Sequence, residues 1–125
     1  MSIPILKQGP LLIVSLQAAA TDAELLELKD KLAAKVGRER SRGVIIDLTV
    51  IDVLDSFATR TLRGIAQTTK LRGAETVVVG LQPDVAIAMV QLGLTLDGIT
   101  TALDLEEGLE WLTRRARNES VGHGV

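Results

Sequence analysis

The chain has 125 residues, of which 46% are hydrophobic but only 2% are aromatic, so we expect one domain with an aliphatic core. Its 14 Lys and Arg residues are balanced by 16 Asp and Glu residues, and the net charge of −2 favours neither nucleic acid nor an anionic membrane as a partner. The lack of cysteine excludes disulfides and thiol catalysis, and with a single histidine it argues against a zinc site and a Ser-His-Asp hydrolase. We therefore predict a non-enzymatic protein without metal or cofactor.

The N-terminal sequence MSIPILKQGP lacks the basic start and the long apolar run of a secretory signal. No apolar stretch approaches the roughly 18 residues that a membrane-spanning helix needs. These two features predict a cytoplasmic protein.

The first third of the chain predicts a β-hairpin followed by a helix. Two β-rich runs, Ile3 to Lys7 and Leu11 to Leu16, flank the turn signal Gly9-Pro10. Thr21 and Glu24 have the spacing of a capping box, in which each side chain accepts a hydrogen bond from a free backbone N–H group. Apolar residues then recur at helical spacing, at Leu25, Leu28, Leu32 and Val36.

Strands and helices alternate in the rest of the chain. Val44 to Ile46 and Thr76 to Val79 are apolar runs that are typical of strands buried on both faces. Helices are predicted from Asp55-Ser56 to about Leu71, from Pro83 to near Gly93 and from about Asp104 onwards, with a short strand at Ile99 to Ala102. This order predicts an α/β fold with a mostly parallel or mixed sheet of four to five strands and about four helices.

Ser56 is the candidate functional residue, because it lies where a loop from a buried strand enters a helix. Free N–H groups and the positive end of the helix dipole favour an anion at such a place. A phosphoserine, which adds about 1.5 to 2 negative charges, would be accommodated there. Serine is also a good N-cap residue, and on these grounds alone the capping role is the commoner one.

Several neighbours of Ser56 have two interpretations each. Thr59 is a secondary candidate for phosphorylation, although Thr59 and Thr61 also fit the common pattern of mid-helix threonines that bond to their own backbone. Phe57 is either a partner contact or a core residue. Candidate partner contacts beside Ser56 are Asp55, Phe57 and Arg60. For Arg60 and Arg63, the alternative is a solvated basic face of the helix.

Three acids, Asp47, Asp52 and Asp55, surround the same loop. Such a group could hold Mg²⁺, as in phosphoaspartate receivers. A receiver also needs paired acids at an early strand end and a lysine at a later one, whereas Gly80-Leu81-Gln82 follows the second buried strand. We therefore favour structural roles, in which Asp47 closes a strand and Asp55 helps to start a helix.

Six segments in chain order resemble the STAS-domain family of anti-sigma-factor antagonists. They are PILK at 4–7, VIIDLT at 44–49, DSF at 55–57, ETVVVG at 75–80, LQPDVA at 81–86 and ALDLEEGLE at 102–110. Together they cover roughly Ile3 to Leu112 and resemble the short stressosome antagonists of the RsbS type. Classical members follow the serine with a small, glycine-containing run, whereas this chain has Phe57-Ala58-Thr59, which favours the stressosome branch.

The resemblance implies a STAS domain over residues 1–117, and the polar segment 118–125 is predicted to be a disordered tail. It also implies a stressosome scaffold that sequesters a serine kinase, with an ATP-binding fold like that of histidine kinases, and releases it when Ser56 is phosphorylated. A PP2C-like phosphatase would reverse the modification. Assembly partners would be sensor-bearing STAS relatives and a second copy of the chain. The alternative is a classical anti-anti-sigma factor that binds an anti-sigma kinase directly.

Overall fold

A computed structural model describes the backbone of residues 2–123 and the side chains of residues 2–118. Within residues 2–123, five strands form one sheet in the order β1-β2-β3-β4-β5. β1 is antiparallel to β2, and the remaining neighbours are parallel, which confirms the predicted α/β class with a mixed sheet. The strands are β1 (Leu6–Gln8), β2 (Leu11–Ser15), β3 (Gly43–Asp47), β4 (Glu75–Val79) and β5 (Thr100–Ala102).

Four helices in the same range connect or follow these strands: α1 (Asp22–Glu39), α2 (Ser56–Leu71), α3 (Pro83–Gln91) and α4 (Leu105–His123). The predicted capping box of α1 is confirmed. The Thr21 Oγ1 atom accepts the Glu24 N–H at 3.1 Å, and Glu24 Oε1 accepts the Thr21 N–H at 3.0 Å. The bond from the Thr21 N–H, together with a bond from the Thr21 hydroxyl to Glu24 Oε1 at 3.0 Å, holds the pKa of Glu24 below its usual value. Pro83 occupies the first turn of α3, as its missing N–H predicts.

The side chains of the central strands alternate between two cores, because successive residues of a strand point to opposite faces. The larger core lies between the sheet and α1, α2 and α3, and includes the predicted helical stripe of α1 from Leu25 to Val36. The smaller core lies under α4, where Leu112 packs against Ile13, Ile45 and Val77. Trp111 is half-buried at its margin.

The loops that follow β3 and β4 emerge side by side at the carboxyl edge of the sheet. The register pairs Asp47 with Val79, and the Leu48 N–H donates to the Val79 carbonyl at 2.9 Å. Ligand and partner sites of parallel α/β sheets concentrate at this edge. It is also the edge at which Ser56 begins α2.

The C-terminal helix is longer than predicted. α4 continues as helical backbone to His123, whereas the sequence predicts a disordered tail from residue 118, so the two differ over residues 118–123. Residues 118–123 contain no proline, and extending a helix that has already formed is far easier than starting one. Residues 124 and 125 of the predicted tail lie outside the described residues.

Candidate functional site

The loop between β3 and α2 is held at its start by an aspartate. Asp47 Oδ1 accepts hydrogen bonds from the Thr49 backbone N–H, at 2.8 Å, and from the Thr49 hydroxyl. Gly80 lies against this turn with φ +73°, and a Cβ on it would collide with the Thr49 hydroxyl. These contacts agree with the predicted role of Asp47, which is to close the end of the strand β3.

Gln82 fixes the middle of the same loop and was missed by the sequence reasoning. Its Nε2 donates to the Thr49 carbonyl at 2.8 Å and to Asp52 Oδ1 at 3.3 Å. Gln82 is also the N-cap position of α3, so it joins the start of that helix to the loop that leads to Ser56. Nothing in its sequence context distinguishes it, because its two partners lie 33 and 30 residues earlier in the chain.

Apolar residues of this loop are divided between the core and the surface. Leu48, Ile51 and Leu54 are buried, and they pin the loop to the larger core. Val53, in contrast, is 80% exposed, although its type predicts burial. The loop thus presents Val53 and Asp52 to the outside while its backbone stays anchored.

Asp55, and not Ser56, caps α2. Asp55 has an extended backbone and its Oδ1 accepts the Ala58 N–H at 2.7 Å, so Ser56 is the first helical residue. The interpretation of Ser56 as the N-cap residue is therefore wrong, because Asp55 occupies that position and accepts the Ala58 N–H. Ser56 is exposed at the positive end of the helix.

The threonines that follow are not equivalent to Ser56. Thr59 is fully buried and its hydroxyl donates to the Asp55 carbonyl at 2.8 Å, while Thr61 is buried and donates to the Phe57 carbonyl at 2.8 Å. Both therefore follow the back-bonding pattern that was the alternative for them. The structure argues against Thr59 as a second phosphate acceptor, because its hydroxyl is inaccessible in the folded chain.

The remaining candidates separate as well. Arg60 is exposed, one helical turn beyond Ser56, and Phe57 is half-buried, which is compatible with both of its predicted roles. The Arg63 guanidinium points to the loop before β5, where its Nη1 lies 3.4 Å from both the carbonyl and the hydroxyl oxygen of Thr95. Of the two arginines, Arg60 is the one that remains beside Ser56.

A groove of about 450 Å³ lies directly beside Ser56. Among its described lining residues, Asp52 and Asp55 are the charged ones, and both are acidic. The other wall comes from α3 and the loop after it, where Leu92 is 71% exposed. The apolar lining residues are Val53, Leu54, Val85, Ala88, Leu92 and Leu94.

The acids of this edge do not form one cluster. Asp47 binds Thr49, Asp52 faces Gln82, and Asp55 caps α2. Among the side chains that the structure describes, no three His, Cys, Asp or Glu residues converge on a point where a metal ion could sit.

The family model for the STAS domain matches residues 2–108. The chain belongs to the STAS-domain family. The site described above therefore lies on the β3–α2 segment of a STAS domain. Within the described residues, the STAS domain has no helix that is both long and apolar enough to cross a membrane.

Two solved structures resemble this STAS domain over nearly its whole length. One is a serine-to-glutamate variant of RsbS from Moorella thermoacetica, 34% identical, which covers 92% of this chain and 97% of that one with a TM-score of 0.80. The other is a chain from the stressosome, described as a signal integration and transduction hub, 35% identical, which covers 91% and 99% with a TM-score of 0.78. The predicted resemblance to STAS antagonists of the RsbS type is confirmed.

A curated relative matches over a shorter part. The RsbT co-antagonist protein RsbRA of Bacillus subtilis (strain 168) is 28% identical over 83 residues, which is 66% of this chain but 30% of RsbRA. The chain thus spans less than a third of the length of that relative.

Proposed function

We propose that this STAS domain is a non-catalytic scaffold of a stressosome-type complex, which holds a serine kinase and releases it when Ser56 is phosphorylated. The likeness to RsbS and to a stressosome chain, at 34% and 35% identity over almost the entire domain, supports the assembly. Sensor-bearing STAS relatives are the proposed co-assembling partners, and the similarity to RsbRA supports a partner of that kind. Release of the kinase would start a stress response.

One observation carries the assignment to Ser56: Asp55 caps α2, and the serine hydroxyl is left exposed on the rim of a groove. An acceptor serine must reach a kinase active site, which the buried Thr59 does not. Because the cap does not depend on the serine, modification of Ser56 leaves this helix start intact. A charge can therefore be added without unfolding the domain.

The surface beside Ser56 is suited to a protein partner. Val53 and Leu92 line the groove from its two sides, and they are 80% and 71% exposed. Exposed apolar side chains that share one groove mark interaction sites on soluble domains. We assign the kinase to this surface, with Arg60 and Phe57 at its edge.

A phosphate on Ser56 would weaken this contact in two ways. It would add to the negative charge of Asp52 and Asp55, which line the same groove, so acidic groups of the partner would be repelled. It would also have to lose water against the apolar wall, and burying an unpaired charge is strongly unfavourable. Both effects favour departure of the partner, and a PP2C-like phosphatase would restore binding.

Phosphate mapping tests the acceptor. The protein is incubated with ATP and the serine kinase from the same organism whose ATP-binding domain resembles that of histidine kinases, and the phosphate is located by mass spectrometry. We expect phosphate on Ser56 and none on Thr59. Phosphate confined to other residues would overturn the assignment.

Kinase retention tests the switch. Ser56→Asp is expected to reduce kinase binding at least tenfold in calorimetry, whereas Ser56→Ala retains it. Gln67→Asp is the matched control, since it adds the same charge to an exposed position of α2 three turns away. Equal weakening by both aspartates would point to net charge and not to the groove.

Assembly is tested separately, by size-exclusion chromatography with light scattering. Alone, the chain is expected to be a dimer. Mixed with a sensor-bearing STAS relative, it is expected to enter a complex of megadalton scale. A small complex formed only with the kinase would favour the classical anti-anti-sigma alternative.

A further inference from the structure

A second and larger groove, of about 830 Å³, lies at the opposite, amino edge of the sheet. Its floor is apolar and includes Leu11 from the start of β2, Ala74 before β4 and Leu112 from α4. The floor is densely packed around Gly43, because a Cβ at that position would come within 2.8 Å of the side chains of both Leu11 and Leu112. The groove is therefore built by the packing of α4 on the sheet.

Four cationic side chains from three separate parts of the chain line this groove. Arg42 comes from the connection between α1 and β3, Lys70 from the end of α2, and Arg115 and Arg117 from α4. Glu75 is the one carboxylate among the described lining residues, and it pairs with Arg115 at 3.4 Å. Among the described lining residues, cationic side chains thus outnumber carboxylates by four to one, the reverse of the acidic groove beside Ser56.

From this combination we infer that the amino-edge groove binds an organic anion with an apolar body, whose phosphate or carboxylate meets the cations while its body covers the floor. Binding sites for small molecules are commonly apolar clefts of 300–1,000 Å³ with a few convergent polar groups, and this groove has that size and composition. Guanidinium and ammonium groups are strong donors to phosphate and carboxylate oxygens. The inference is independent of Ser56 and its kinase.

The single tryptophan supplies a readout. The Arg115 guanidinium carbon lies 5.9 Å from the centre of the Trp111 ring, and Arg115 is also a lining residue of the groove. An anion that draws Arg115 towards itself changes the environment of the indole. Tryptophan emission can therefore follow occupancy of the groove in the unlabelled protein.

The test titrates the full chain with decyl phosphate below its micelle concentration and follows both Trp111 emission and amide shifts by NMR. We expect saturable binding, with shifts at residues 42, 70 and 115 and none at residues 52–56. Decyltrimethylammonium, with the same body and the opposite charge, and inorganic phosphate, with no body, are expected not to bind. If decyltrimethylammonium binds as tightly as decyl phosphate, only the apolar body is recognised. If inorganic phosphate binds as tightly, only the negative charge is recognised. Either result would overturn the inference.

Charge-reversal variants locate the site. Lys70→Glu and Arg117→Glu are each expected to weaken decyl phosphate binding about tenfold, as for a lost charge-assisted hydrogen bond. Arg38→Glu is the matched control, since Arg38 is an exposed residue of α1 outside the groove lining. An equal effect of Arg38→Glu would show that net charge is responsible and would refute the site. Binding seen only with phosphatidylglycerol vesicles would also refute it, in favour of a membrane surface.

Discussion

The Oδ1 atom of Asp55 lies 2.7 Å from the backbone nitrogen of Ala58, so the residue before Ser56 closes the first turn of α2. The two neighbours therefore have different roles: Asp55 accepts a backbone N–H at the start of the helix, and Ser56 is exposed to solvent. Helix caps of this type contribute about 1 kcal/mol. The stability of the switch segment should therefore depend on the aspartate.

Removing the cap is the direct check. Asp55→Ala is expected to lower the free energy of unfolding by about 1 kcal/mol, while Asp55→Asn, which can still accept the Ala58 N–H, keeps most of it. Urea denaturation measures both. Asp52→Ala is the control and should stay within about 0.5 kcal/mol of the parent, because it loses only the 3.3 Å contact to Gln82. Equal losses for Asp52→Ala and Asp55→Ala would contradict the capping role.

A buried hydroxyl pair between α2 and β4 gives an asymmetric prediction. Thr69 Oγ1 and Thr76 Oγ1 are 2.9 Å apart, and Thr69 also bonds to the Ile65 carbonyl at 2.8 Å. Thr69→Val leaves the buried Thr76 hydroxyl without this bond and should cost about 1–3 kcal/mol. Thr76→Val should cost less, because Thr69 keeps Ile65 as its acceptor. Urea unfolding of both single variants and the double variant measures this, and additive losses would speak against coupling.

Two helical glycines should respond to alanine with opposite signs. A Cβ on Gly108 would lie 2.8 Å from Cγ1 of the buried, stiff Val79, so Gly108→Ala should lower the free energy of unfolding by about 1–3 kcal/mol. At Gly37 the obstacle is the end of the flexible, exposed Arg72 side chain. Gly37→Ala should therefore gain about 0.5–1 kcal/mol from helix propensity. Thermal or urea unfolding decides, and two changes of the same sign would contradict this packing.

The capping box of α1 predicts a pH effect. Because backbone hydrogen bonding to Thr21 holds the folded-state pKa of Glu24 below its ordinary value of 4.5, its contribution to stability is complete above that value and is lost as the pH falls through the lower folded-state pKa. Thr21→Ala keeps the backbone N–H but removes the hydroxyl that also donates to Glu24 Oε1, at 3.0 Å, and should therefore raise the pKa of Glu24 part of the way back. An NMR titration of the Glu24 side-chain carboxyl checks this, with Thr113→Ala on α4 as the control that leaves it unchanged.

Much of the fold could be predicted because its signals are local. The stripe of α1, the buried runs around Ile45 and Val78 and the Pro83 helix start each follow from spacing or from one residue type. The choice between Asp55 and Ser56 as the cap could not be predicted, since both residue types cap helices and only the backbone of one residue distinguishes them.

The candidate site was only partly predictable for a different reason. Ser56 and its acidic neighbours could be found in one segment, but the opposite wall of their groove comes from Val85 and Leu92, far along the chain. A hydropathy pattern predicts that Val53 is a core residue, because valine is apolar, whereas the structure shows it exposed. The amino-edge groove was missed entirely, because its four cations are scattered through the sequence and only the packing of α4 brings them together.

The helix α2 runs from the carboxyl edge of the sheet to its amino edge. It has 16 residues; Ser56 at its start lines the acidic groove, and Lys70 near its end lines the basic one. At about 1.5 Å of rise per residue, the backbones of these two residues are about 21 Å apart along one rigid rod. A displacement of this rod along its axis would alter both grooves together, and by thermodynamic linkage any influence of one occupied end on the other would act equally in reverse.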